Sequence, residues 1–186
     1  MRERLLLQPP EIIETEGPVI FLAGPIQGAP NWQLDAASII HDIDPLIVVA
    51  SPRKEYEPST SVYEQQVDWE TAMMRRAGRL GVIGFWLASP AELTLPLSTR
   101  ITLAMSIITK GRLPLQRAYG QTSRFELAEW KMRHEYEGIK LTIGIEEGFG
   151  NARYIQRRFH QDCPDVRITD DLIELCQNAV ELARQV

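Results

Sequence analysis

Pro18-Val19-Ile20-Phe21-Leu22-Ala23, followed by Gly24-Pro25-Ile26-Gln27-Gly28-Ala29-Pro30, carries a strand and a turn in thirteen residues. The run up to Ala23 is apolar without alternation, the pattern of a strand covered on both faces. It therefore reads as a central parallel strand. The turn residues after it lead into a helix that Asn31 can cap. That helix has apolar positions at Leu34, Ala37, Ile39 and Ile40 and is stopped by Asp44-Pro45.

Outward from this unit the alternation repeats. Residues 46–50 form a second buried strand, and a polar, Pro-containing loop runs from 51 to about 61. A helix follows over 62–77 with Val67, Thr71 and Met74 on one face, then a third strand over 80–87. Residues 88–120 are long for a loop and carry their own apolar run at 103–108, so they read as an insertion or lid. Beyond them come a helix from 123 to about 136, a strand over 139–145, a helix from 151 to about 161 and a short strand at 166–168. Thr169 caps a last helix. Five strands alternating with about five helices predict a single α/β domain over residues 1–186. The expected fold is a doubly wound five-stranded parallel sheet of the flavodoxin-like or Rossmann-like type, with helices on both faces. Ligands of such sheets bind outside the carboxyl ends of the strands. The loops 24–31, 51–61, 88–123 and 146–151 are therefore the ones to inspect.

Composition narrows the class. A formal charge of -5 over 186 residues, with 44% apolar and 24% charged residues, is that of an ordinary globular protein. No Lys/Arg cluster is dense enough to neutralise a run of phosphates: Arg75, Arg76 and Arg79 make a short helical group, so a nucleic-acid polymer is not an expected partner. Arg2 and Arg4 precede Leu5-Leu6-Leu7, but Gln8-Pro9-Pro10 ends that run far short of a signal sequence or a membrane span. A cytoplasmic protein with no membrane partner is the expectation. Cys163 and Cys176 lie in no C-x-x-C, and His41, His134 and His160 lack metal-ligand spacing, so neither a metal nor a cofactor is expected.

Thr122-Ser123-Arg124-Phe125-Glu126-Leu127-Ala128-Glu129-Trp130 admits two readings. Thr122 or Ser123 can be an N-cap, with Glu126 the back-bonding partner of a capping box. Alternatively, Glu126 is a nucleophile or general acid/base at the mouth of a strand-loop-helix unit. The loop Gly24-Pro25-Ile26-Gln27-Gly28 is neither G-x-G-x-x-G nor a P-loop, but can bring backbone N–H groups to a polar ligand, or simply turn the chain into the helix. In the helix over 62–77, Gln66, Trp69 and Glu70 share one face. They could grip a heterocycle, the indole by stacking; equally, Trp69 could be partly buried beside a solvated Glu70.

Taken together, "IFLAGPI", "SPRKEYE", "EQQVDWE", "GVIGFWL" and "TSRFELAEW", in that order from about residue 19 to 145, resemble the nucleoside 2-deoxyribosyltransferase-like family. The resemblance implies a flavodoxin-like sheet and an enzyme acting on the N-glycosidic bond, with Glu126 at the position of the family's nucleophile. A carboxylate there displaces a nucleobase to give a glycosyl ester, then yields the sugar to a second base or to water. The N–H groups and dipole at the helix start would favour its ionised form. Gly24, Pro25 and Ile26 would line the substrate pocket and Trp32 would close it. Two acids that the family uses, one near the third strand and one just before the nucleophile, are missing. Glu70, Asp68 or Glu129 could stand in for the first, and Ser123 or Arg124 for the second. Ser123 and Arg124 also form a plausible phosphate site, which makes a nucleoside 5'-monophosphate N-glycosidase the alternative activity. The missing acids further allow a catalytically silent nucleotide-binding module. A homo-oligomer is expected from the resemblance, with Trp69 and Trp130 as interface residues if exposed.

Overall fold

The structure, a computed structural model, describes residues 4–13, 17–54, 60–91 and 119–186, residues 60–62 by backbone alone. In chain order its elements are β1 (Leu6–Leu7), β2 (Val19–Ala23), α1 (Trp32–Ile43), β3 (Val48–Ala50), α2 (Thr60–Leu80), β4 (Gly81–Leu87), α3 (Gln121–Glu137), β5 (Leu141–Ile145), α4 (Ala152–Asp162), β6 (Ile168–Thr169) and α5 (Leu172–Ala183). All strands pair in parallel in the order β1-β3-β2-β4-β5-β6. Without β1 this is the flavodoxin-like order, and β2 and β4 flank the switch point where the connections diverge. Among the described residues the sheet has six strands rather than five. The extra one, β1, sets Leu6 against Val49 and Leu7 against Ala50 outside β3. Most of the expected insertion, 92–118, and residues 55–59 of the polar loop lie outside the described residues.

Side-chain alternation sorts the sheet into two cores. Val19, Phe21, Ala23, Ile83, Phe85, Leu87, Ile143 and Ile145 pack with α2, α3 and α4. Ile20, Leu22, Val49, Val82 and Trp86 pack with α1 and α5. Each such side chain taken out of water contributes about 1.5–3 kcal/mol. Gly144 leaves the room that Trp86 fills: a Cβ there would stand 2.1 Å from Trp86 Cε3.

The helices turn differently from the expected faces. On α2, Trp69, Met73, Met74 and Ala77 are buried while Val67 and Thr71 are exposed, because Trp69, Met73 and Ala77 repeat every four residues against the sheet. On α1 the core takes Trp32, Ala36, Ala37 and Ile40, and Leu34 is exposed. Asn31 stands at the N-cap of α1 without a side-chain bond. Asp171, not Thr169, caps α5, accepting from the N–H groups of Ile173 (2.7 Å) and Glu174 (3.0 Å). Among the described residues, no helix is long and apolar enough to cross a membrane.

Candidate active site

Parallel strands bring every βα loop to one edge, and the side chains of interest gather where the loops after β2, β3, β4 and β5 meet. The loop after β2 is held from below. Gly24, at φ 150°, leaves no room for a Cβ, which would fall 2.1 Å from the Trp86 carbonyl oxygen. Trp32 Nε1 donates to the Pro25 carbonyl at 3.0 Å, so the buried indole supports this loop from beneath and does not close over it. Pro25 is buried and Ile26 half-buried.

The residue that fixes the loop's far side is Arg53, which sequence reasoning passed over. Its Nη2 donates to the carbonyls of Ile26 (2.9 Å), Ala29 (3.2 Å) and Pro30 (2.8 Å), and its Nε to Gln33 Oε1 (2.9 Å). One planar cation thus gathers four oxygens. Arg53→Lys is expected to cost about 2 kcal/mol of stability, because an ammonium cannot span them. An unchanged urea midpoint would show that the Trp32–Pro25 contact suffices.

The chain after β4 is tied to the same loop. Ala91 N–H donates to the Gly28 carbonyl at 2.8 Å, and Tyr119 Oη donates to that of Ala88 at 2.8 Å. Burial, reinforced by the Glu146 charge, pushes the Tyr119 phenol up to about 12, so it stays a donor throughout the working range. Glu146, at the end of β5, accepts from Ser89 N–H at 2.6 Å.

Helix α3 begins at Gln121 behind Gly120, whose left-handed backbone makes the turn, and no side chain caps it. The capping-box reading of Ser123 and Glu126 is therefore corrected: both lie inside the helix. Ser123 is buried on its inner face. Arg124 donates to the carbonyls of Tyr119 and, at 3.1 Å, Gly150, with its guanidinium 4.5 Å from the Phe149 ring centre. A phosphate would have to displace these bonds. Arg124 here staples the start of α3 to the β5–α4 loop.

Glu126 is half-buried on the side of α3 that faces α2. The two helices run close, since a Cβ on Gly78 would lie 2.9 Å from Trp130 Cζ3. Burial first, then the charges of Glu70 and Glu129, push the Glu126 carboxyl up to about 8. This corrects the expectation that the helix start keeps it ionised. Glu126 is the sixth residue of α3, past the free N–H groups, and burial beside two carboxylates outweighs what remains of the dipole. Glu70 is also raised by burial, offset in part by Gln66 Nε2, which donates to its Oε1 at 2.6 Å. That bond favours a charged Glu70, so Glu126 holds the proton near neutrality. Two carboxyls whose charges act on one another, one of them holding a proton, can serve as base and acid in one cycle.

The other expected residues lie differently. Trp69 is buried against Phe21 at 6.2 Å between ring centres, and its Nε1 donates to the Glu11 carbonyl at 2.7 Å, so neither face of the indole is open to a base. Trp130 is buried as well, which removes both tryptophans as interface candidates. Asp68 points to solvent from α2. Glu129 is exposed and paired with Arg133 at 3.0 Å, yet it still acts on Glu126 through its charge. No protein-family model and no curated protein matches the chain.

Proposed function

We propose that this protein is an enzyme acting on the N-glycosidic bond of nucleosides or nucleotides, passing a 2-deoxyribosyl group between bases through a covalent ester on Glu126. The observation that supports it most is the Glu126 carboxyl, raised to about 8 by burial and by the charges of Glu70 and Glu129, on a chain whose motif order resembles the nucleoside 2-deoxyribosyltransferase-like family. In this reading the ionised Glu126 forms a bond to the anomeric carbon as the bond to the base nitrogen breaks. The proton that Glu126 gave up passes through Glu70 to the departing base. An acceptor base or a water then attacks the anomeric carbon, the bond from that carbon to the Glu126 oxygen breaks, and the proton lost by the attacking group returns through Glu70 to Glu126.

Chromatography of deoxynucleosides, nucleosides and their 5'-monophosphates, with and without a second free base, tests the proposal. Base exchange that needs the acceptor marks the transferase. Base release without an acceptor marks an N-glycosidase, and preference for 5'-monophosphates would mean that Arg124 leaves its carbonyls to hold the phosphate. No Glu126-dependent product from any substrate would leave a nucleotide-binding module.

A further inference from the structure

Gln66 and Glu70 lie one helical turn apart on α2, close enough for their side chains to meet. The Gln66 amide uses its nitrogen twice: Nε2 donates to Glu70 Oε1 at 2.6 Å and to the Pro52 carbonyl at 3.2 Å. Turned over, the amide would set its oxygen against two other oxygens, so these contacts fix its orientation. The consequence falls on Gln66 Oε1, which is buried without a hydrogen-bond partner. A buried acceptor left in that state costs stability. Local rules of this kind are broken chiefly at functional sites.

Pro52 is a firm point of reference. Ser51 N–H donates to the Leu7 carbonyl at 2.9 Å, and Arg53 N–H donates to Ser51 Oγ at 3.3 Å. The Arg53 guanidinium in turn gathers the loop after β2. One amide therefore ties the Glu70 carboxylate, on the middle of a helix, to the frame that shapes the first loop. Among the described residues no cation is ion-paired with Glu70 or Glu126. The charges that bear on Glu126 are those of Glu70 on α2 and Glu129 on its own helix, and Glu129 is paired with Arg133. Burial opposes the charged form of Glu70, and the Gln66 bond is what favours it.

We propose that Gln66 is a positioning residue for the activity proposed above: its amide keeps Glu70 ionised and in one orientation, so that Glu70 takes the proton of Glu126 and passes it to the departing base. The role rests on that activity. Both donors of the amide nitrogen are taken by protein oxygens, so Gln66 acts through Glu70 rather than on the substrate. Without them a proton settles on Glu70 at a higher pH, and two protons on the pair leave no carboxylate to relay one.

Gln66→Met tests this, because it keeps the length of the side chain while removing both donors and the orphan acceptor. Rates are measured from about pH 5 to about pH 9, with thermal melting alongside. A loss of about tenfold near pH 5 is expected, shrinking to less than about threefold near pH 8, in kcat rather than KM and with the fold intact. An equal loss at every pH together with a lower melting temperature would mark a structural side chain and overturn the proposal. So would a variant with the wild-type pH profile. Carbon-13 NMR titration of the Glu70 carboxyl reads the same bond without turnover: it should titrate at higher pH in the variant, and an unmoved Glu70 would overturn the proposal whatever the rate does. Wild-type protein that releases no base, or releases it without Glu126, would instead strike the activity itself, and the role of Gln66 with it.

Discussion

Glu126→Gln is expected to lose base release or exchange by about a thousandfold or more, yet to melt at a higher temperature than the parent protein at pH 9. The loss follows from the proposed chemistry, because an amide cannot form the glycosyl ester. The gain follows from the environment of the carboxyl. Its folded value of about 8 lies above the ordinary 4.5, so the folded state binds a proton that the unfolded state has released. Stability from this group is therefore fully present below about pH 4.5, declines as pH rises, and is lost above about 8. The loss amounts to a few kcal/mol. The neutral amide avoids it, so the two proteins should melt alike at pH 4 and diverge towards pH 9. If the variant kept its activity, Glu126 would not be the nucleophile; if it melted lower at pH 9, the carboxylate would be a structural group. The pH profile separates roles further. The proposed step needs the two carboxyls to hold one proton between them, so kcat/KM should fall about tenfold per unit above about pH 8. A rise through pH 8 would instead mean that the base departs without the proton that Glu126 gives up.

The second large effect is steric. Gly24→Ala places a methyl 2.1 Å from the Trp86 carbonyl oxygen and 2.9 Å from Trp32 Cζ2, at a φ of 150°. The first neighbour is strand backbone and cannot turn aside, so β2 and β4 must part at the switch point. A cost of about 4 kcal/mol or more is expected. Gly28→Ala is the control. It shares the positive φ, at 75°, but its methyl would meet the Tyr119 ring at 3.6 Å, an ordinary contact, so about 1 kcal/mol is expected. Equal urea midpoints for the two variants would mean that the first loop does not depend on the close approach of its glycine.

What could be read in advance divides along physical lines. Continuous apolar runs such as residues 19–23 and 81–87 announce buried parallel strands, because burial on both faces leaves no polar positions. β1 was missed because Leu6–Leu7 is too short to show a period and gains its strand character from pairing with β3. The place of Glu126 on the helix between β4 and β5 was legible from the order of elements. Its protonation was not, since that depends first on burial and then on the charge of Glu70, on another helix, which no spacing encodes. Arg53 was hidden for the same reason: its bonds to Ile26, Ala29 and Pro30 span 23 to 27 positions. The tryptophans misled because an aromatic on an amphipathic helix looks the same whether it faces a ligand or the core.

Both outer strands, β1 at Leu6–Leu7 and β6 at Ile168–Thr169, have two residues each. An outer strand offers its free N–H and C=O groups to any other chain in extended form, and the hazard grows with its length. Here the longer strands are enclosed: β2, β4 and β5 have neighbours on both sides, and β1 covers β3. Among the described residues the fold thus guards itself against edge-to-edge aggregation and fibre growth by brevity at its margins.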